Sequence, residues 1–205
     1  MSQVNERWSP PTRDPDDDSP RLECGVFGIW GAPDCAMRCY MGLFAQQHRG
    51  QESAGIAVTD GALLKAHVGM GLVSEVFTGP ILQSLPGIGG IGHNRYSTTG
   101  SNRSCNAQPL LEEYIGGQVA LAHNGNLVNA DVLRRAYETR GHIFHTSTDT
   151  EVILHLLASH HLSKTDPVVE ALLHLQGAYS LLFLFKDRIE AARDPWGWRP
   201  LVLGK

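Results

Sequence analysis

Four stretches of the chain concentrate side chains able to do chemistry. They are Cys24, the run His93-Asn94-Arg95-Tyr96-Ser97-Thr98-Thr99-Gly100, the run His123-Asn124-Gly125-Asn126, and Thr148-Asp149-Thr150-Glu151. A cysteine supplies a nucleophile. An Asn followed by Gly offers a side-chain amide and a backbone N–H to a developing oxyanion. The arginine fork matches a carboxylate bidentately, and a carboxylate such as Asp149 can hold an ammonium. Together these groups suit an α-amino acid that carries a carbonyl to be attacked. Each also has a plainer reading: Cys24 as a buried structural thiol, Arg95 as an ion-pair partner, Asp149 as a helix N-cap.

The elements that must position them follow from periodicity. The segment CGVFGIWG predicts a buried strand ending at Gly31. Asp34 can cap a helix running to about Gln47, with Ala36, Tyr40, Leu43 and Phe44 at helical spacing. A strand over Gly55–Val58 and another near Ala62–His67 flank the hairpin signal Asp60-Gly61. Gly87–Tyr96 and Gln118–Ala122 read as strands that each end in a polar cluster. A helix from about Asn129 to Arg140 stops at Gly141. Thr148 or Asp149 can cap another that runs through His161, and Asp166-Pro167 opens a third. Ala178–Phe185 and Arg188–Ala192 form a hairpin pattern around Lys186-Asp187. Strands, then helices, then strands imply an α+β fold with antiparallel pairing.

The chain has 205 residues, 42% of them hydrophobic, which suits one globular domain. A net charge of −4 without a Lys/Arg run excludes the electrostatic footprint of a nucleic-acid binder. No apolar stretch approaches the roughly 20 residues that cross a bilayer. The first 21 residues are rich in Pro, Asp, Ser and Arg, predict disorder and lack the apolar core of a secretory signal. A cytoplasmic location follows, where the four cysteines stay as thiols. Cys35 and Cys39 stand four apart on the first helix without a second pair, so core or helix-face thiols are expected, and Cys105 is a loop thiol. His142, His145, His155, His160, His161 and His174 read as scattered surface or capping residues, not zinc ligands. Gly89-Gly90-Ile91-Gly92 leads into a strand and is no dinucleotide fingerprint.

The blocks ECGVFGIWG, QQHRGQESAGIAV, IGHNRYSTTG, LAHNGNLVN, STDTEVILHLL, GAYSLLFLF and RDPWGWRPLVLG resemble, in that order, class II glutamine amidotransferase domains of the N-terminal nucleophile hydrolases. HNRYSTTG together with QHRGQESAGI is similar, within that class, to amidophosphoribosyltransferases; the aminosugar synthases carry Trp and Ala-Thr-His where this chain has Tyr96-Ser97-Thr98-Thr99. The resemblance runs from Glu23 to Lys205. It implies a four-layer αββα sandwich over residues 24–205, preceded by a disordered propeptide, residues 1–23. It implies Cys24 as nucleophile, with the α-amine freed by cleavage as its base. It further implies Asn124 and Gly125 as the oxyanion hole, Arg95 for the glutamine α-carboxylate, Asp149 for its α-amino group, and Arg49, Gly50 and Thr98 about the glutamine pocket.

The implied reaction is glutamine hydrolysis to glutamate and ammonia. In the full-length family enzyme the ammonia passes to 5-phosphoribosyl diphosphate, the first step of purine synthesis. The chain ends before the family's last sheet strands and its phosphoribosyltransferase domain, so a sandwich truncated at its C-terminal end is expected. No cofactor or metal is expected in this chain. Mg²⁺, and an iron–sulfur cluster where a member has one, belong to the C-terminal domain. A homo-oligomer is implied for the full-length protein. Two alternatives stand beside this reading: a truncated, non-catalytic relative, and a class II amidotransferase with another acceptor. Trp196 and Trp198 replace the more usual residues of their motif, away from the expected catalytic set.

Overall fold

The computed structural model describes residues 24–96, 104–160 and 165–205. The propeptide expected over 1–23, Thr98 and His161 lie outside these residues. Two four-stranded antiparallel sheets form the centre. The first has the order β1 (Gly25–Trp30), β4 (Gly89–Arg95), β2 (Ser53–Thr59), β3 (Leu64–Met70); the second runs β5 (Leu110–Tyr114), β6 (Gly117–Leu127), β7 (Gly177–Leu184), β8 (Ile189–Arg193). Helices α1 (Cys35–Ala45), α2 (Val73–Val76) and α3 (Gly79–Gln83) accompany the first sheet, and α4 (Ala130–Glu138), α5 (Thr150–Ser159) and α6 (Pro167–Leu173) the second.

Strand alternation divides the apolar residues into three layers. Ala54, Ile56 and Val58 of β2 meet Cys35, Cys39 and Leu43 of α1 and Val73 and Val76 of α2. Leu121 of β6 and Tyr179, Leu181 and Phe183 of β7 meet Val152, Ile153, Leu156 and Leu157 of α5 and Val168 and Ala171 of α6. The opposite faces of the same strands meet each other through Ala57, Ile91, Ala120, Ala122, Leu182 and Leu184. The result is an αββα sandwich. Among the described residues no helix is long and apolar enough to cross a membrane.

Local chemistry sets the element ends. Asp60 Oδ1 accepts from the N–H groups of Ala62 and Leu63, both at 2.9 Å, and closes the β2–β3 hairpin. Asp166 Oδ1 accepts from Val168 N–H at 2.8 Å and starts α6 with Pro167 in its first turn. Asp194 is buried and accepts from Tyr179, Trp196, Trp198 and Arg199 N–H, folding the RDPWGWRP segment around one carboxylate. Burial pushes that carboxyl up, but the backbone donors outweigh it and hold it below the ordinary range.

Several sequence expectations are corrected. β1 is an edge strand with Trp30 exposed, not a buried strand, because only β4 pairs with it. Asp34 stands before α1 but makes no cap; its carboxylate bonds Arg38 Nε at 2.7 Å instead. β3 begins and ends later than expected, and β6 continues to Leu127 where a strand ending at Ala122 was expected. β5, α2 and α3 are additional elements. Cys35 and Cys39 are fully buried thiols, as expected, and burial raises both pKa values. Cys105 is exposed.

Candidate active site

β6 outruns its neighbour, and that mismatch makes the site. β5 begins opposite Leu121, at Leu110, with Pro109 immediately before it; Pro has no N–H to extend a ladder. β6 goes on for six residues paired only with β7. In an antiparallel strand every second residue aims both its N–H and its C=O at the same neighbour. His123, Gly125 and Leu127 therefore face the side that β5 has left open. His123 N–H donates to Gln108 Oε1 at 2.8 Å, and Leu127 N–H donates to Asp149 Oδ2 at 2.9 Å. Between them the Gly125 N–H faces the same open side.

Gly125 cannot be another residue. Its φ is +159°, and a Cβ there would sit 2.0 Å from the Ala178 carbonyl oxygen. Asn124, at the next register position, turns its side chain into the layer between the sheets with Ala120 and Ala122. It is buried, and its Oδ1 has no hydrogen-bond partner among the described residues.

A half-open cleft lies over this open edge. Its walls are Cys24, Arg95, Tyr96, Gln108, His123, Gly125, Thr148, Asp149 and Thr150. Cys24 directly precedes β1, whose first residue pairs with Asn94 of β4. Its sulfur exchanges hydrogen bonds with the backbone of Tyr96: Sγ donates to the carbonyl and the Tyr96 N–H donates to Sγ, both at 3.4 Å. Burial pushes the Cys24 thiol up, against the pull of that N–H and of the Arg95 charge. The group is thus a thiol at neutral pH and needs a base to become a nucleophile.

Arg95 ends β4 and is almost wholly buried at the cleft. Asp149 precedes α5 at the N-cap position, yet its side chain makes no cap. One oxygen takes the Leu127 N–H and the other lies 3.6 Å from His123 Nδ1. Burial raises its carboxyl, but the His123 ring and the Leu127 N–H outweigh it and hold the group below the usual carboxylate range. The loop leading to Asp149 is pinned by buried Glu151, which accepts from His145 and Thr146 N–H at 2.7 Å each, and by Arg134, which donates to the Thr146 and Thr148 carbonyls.

The structure therefore brings Cys24, Arg95, Gly125 and Asp149 to one cleft. Arg49 and Gly50, expected in the pocket, instead stand behind it. Arg49 Nε donates to the Cys24 carbonyl at 3.3 Å, and Gly50 lies so close under β4 that a Cβ would be 2.6 Å from the Asn94 carbonyl carbon. Gln108, His123, Thr148 and Thr150 also line the cleft. His123, Thr148 and Thr150 belong to the polar runs that stand out in the sequence without a catalytic assignment; nothing local marks Gln108. Among the described residues no group of three His, Cys, Asp or Glu could hold a metal ion. His142 and His155 do meet, Nδ1 to Nδ1 at 3.1 Å, but inside a stack with Tyr137 and Phe144.

Two facing antiparallel sheets under outer helices, with a cysteine at the start of the first strand, define the architecture of the N-terminal nucleophile hydrolases. Residues 93–205 match the family model described as the glutamine amidotransferase domain, and the chain belongs to that family. It is 50% identical over 197 residues to amidophosphoribosyltransferase 1, chloroplastic, of Arabidopsis thaliana, covering 94% of this chain and 34% of that protein. Among solved structures it superposes on the glutamine phosphoribosylpyrophosphate amidotransferase from B. subtilis complexed with ADP and GMP with a TM-score of 0.78 and 46% identity, over 85% of this chain and 38% of that one. A structure described as the allosteric regulatory enzyme of purine biosynthesis matches with a TM-score of 0.80 and 47% identity, over the same shares of the two chains. The chain spans little more than a third of the length of these relatives, and what it resembles within the family is the glutamine-hydrolysing part of amidophosphoribosyltransferases.

Proposed function

We propose that this cleft hydrolyses the side-chain amide of glutamine, with Cys24 as nucleophile. The observation that carries the reading is the placement of a thiol, a guanidinium, a carboxylate and an outward-facing glycine N–H around one cleft. Arg95 binds the substrate α-carboxylate bidentately and Asp149 its α-ammonium, which leaves the side-chain amide to reach Sγ. While Glu23 precedes it, the nitrogen of Cys24 is an amide and no base. Cleavage between the two frees an α-amine with an unperturbed pKa of roughly 7.7–8.0, close to working pH. That amine takes the thiol proton as sulfur attacks the amide carbon. The oxyanion is held by the Gly125 N–H and the Asn124 amide. The amine returns the proton to the departing nitrogen, ammonia leaves, and a thioester remains. Water adds to the thioester, expelling the thiol and giving glutamate. Arg49 holds the Cys24 carbonyl and Gly50 the β4 backbone, so both shape the site from behind; Thr98 follows in the same segment as Arg95.

The ammonia goes to 5-phosphoribosyl diphosphate on a second domain, as the names of the relatives suggest. Mg²⁺, and an iron–sulfur cluster where one is present, belong with that domain, as does assembly into a homo-oligomer. A cytoplasmic location is part of this reading and suits cysteines kept as thiols. Cys24→Ala is the direct test. Ammonia release from glutamine falls to background while the circular dichroism spectrum and melting temperature stay those of the parent; retained turnover would end the proposal.

A further inference from the structure

His93 is fully buried in β4, away from any expected substrate contact. Its Nε2 lies 3.1 Å from the carbonyl oxygen of His123 in β6. A carbonyl only accepts, so Nε2 carries the proton and the ring is the neutral Nε2–H tautomer. Burial agrees, holding the imidazole down to about 3. Nδ1 is then an acceptor, and it has no partner among the described residues.

The bond joins the two sheets at the site. β4 carries Arg95 and pairs with β1, which follows Cys24; β6 carries Asn124 and Gly125. The His123 carbonyl belongs to the peptide group that continues into Asn124. It points, with its own N–H, to the side where β5 is missing. Two side chains stand in for the absent strand there: His93 donates to the carbonyl, and Gln108 accepts the N–H at 2.8 Å. Gln108 also donates to Thr150 Oγ1 at 3.0 Å, tying the same peptide to the start of α5 beside Asp149.

Resting on the glutaminase reading above, we infer that His93 and Gln108 are positioning residues, which act through the main chain of His123 to set the oxyanion donors of Asn124 and Gly125 against Cys24. His93 does not line the cleft, and Gln108, which does, spends its amide on the His123 N–H and Thr150 Oγ1. Their effect falls on the step that forms the oxyanion and not on glutamine binding by Arg95 and Asp149.

The test uses the full-length, processed protein and four measurements: glutaminase kcat, glutamine KM, the rate of Cys24 alkylation by iodoacetamide, and the melting temperature. Alkylation needs the thiol but forms no oxyanion. His93→Met removes the donor at similar bulk, and His93→Gln keeps an amide N–H near the position of Nε2. His93→Met should lose about 100-fold in kcat, the scale of one lost oxyanion donor, with KM and alkylation rate within a factor of about 3. His93→Gln should recover most of that loss, and Gln108→Met should repeat the kcat-only pattern. Equal losses in His93→Met and His93→Gln, or alkylation falling in step with kcat, would reduce His93 to packing and overturn the inference. Full activity of His93→Met in an active parent would overturn it too and leave the glutaminase reading standing. A parent without glutaminase activity would sink that reading instead.

Discussion

The layer between the sheets has two ends made from the same strands. At one end Ala57, Ile91, Ala120, Ala122, Leu182 and Leu184 are buried against one another without a polar atom among their side chains. At the other, two to four residues along the same strands, stand Ser53, His93, Arg95, Asn124 and Ser180, buried just as deeply. Ser53 Oγ, His93 Nδ1 and Asn124 Oδ1 have no hydrogen-bond partner among the described residues. An unsatisfied buried polar atom costs roughly 1–3 kcal/mol. One end therefore stabilises the sandwich and the other draws on that stability. Folded proteins hold such atoms where chemistry or substrate uses them.

The sharpest way to break this contrast is one truncation at each end. Asn124→Ala at the polar end should lower glutaminase kcat by about 100- to 1,000-fold. It should leave the melting temperature nearly unchanged, because the residue holds no partner for Oδ1 to lose. Leu184→Ala at the apolar end should do the reverse. It should destabilise by about 2–5 kcal/mol in denaturant titration, with kcat and KM of the folded fraction preserved. If both variants lost stability alike, the division of the layer into a structural and a functional end would fail.

A smaller effect is expected at Asp149, on the wall of the same cleft. Asp149→Asn removes the charge offered to the substrate ammonium, and glutamine KM should rise by about 10- to 150-fold. The pH dependence separates its role from that of Cys24. The folded pKa of Asp149 lies below its unfolded value of about 3.9. Its contribution to stability is thus complete above that value and fades as pH falls through the folded one. It cannot cause a loss of activity near neutrality. Under the proposed mechanism that loss belongs to the Cys24 amine, protonated below roughly pH 8. The acid limb of kcat should therefore survive in Asp149→Asn. A limb that disappeared with the carboxylate would make Asp149 the base.

Why some of this was legible in the sequence and some was not follows from the same architecture. The β7–β8 hairpin and the α6 start announce themselves through an apolar run, a turn and an Asp-Pro cap that act locally. β5, with two glutamates in five residues, carries no such run, and α2 and α3 are too short for helical periodicity to register. β6 was read as ending at Ala122 because its last five residues, His123 to Leu127, are mostly polar. They are polar because one edge of the strand is open to the cleft, so the misread boundary marks the site. Cys24, Arg95, Gly125 and Asp149 were found through motif resemblance and converge as that implied. Gln108 acts only through a fold that carries it beside a distant strand, and no local pattern could disclose it. Arg49 and Gly50 belong to the same motif but are not among the lining residues of the cleft.

The smallest expected effect is also the most discriminating for the polar end. Ser53 lies in β2 opposite Arg95, fully buried, with its hydroxyl unpartnered among the described residues. If the hydroxyl is only an uncompensated polar atom, Ser53→Ala removes a cost and loses no bond. The variant should then be as stable as the parent or more stable, by up to about 1 kcal/mol, with KM and kcat unchanged, as read by chemical denaturation and a glutaminase assay. Because the substitution only removes an atom, steric strain would not mask the gain. A loss of stability would mean that a buried water satisfies the hydroxyl, and the polar end would then be a hydrated extension of the cleft. A rise in KM without loss of stability would place Ser53 within reach of the substrate through Arg95, and its hydroxyl would then be kept for function like the other groups of the polar end.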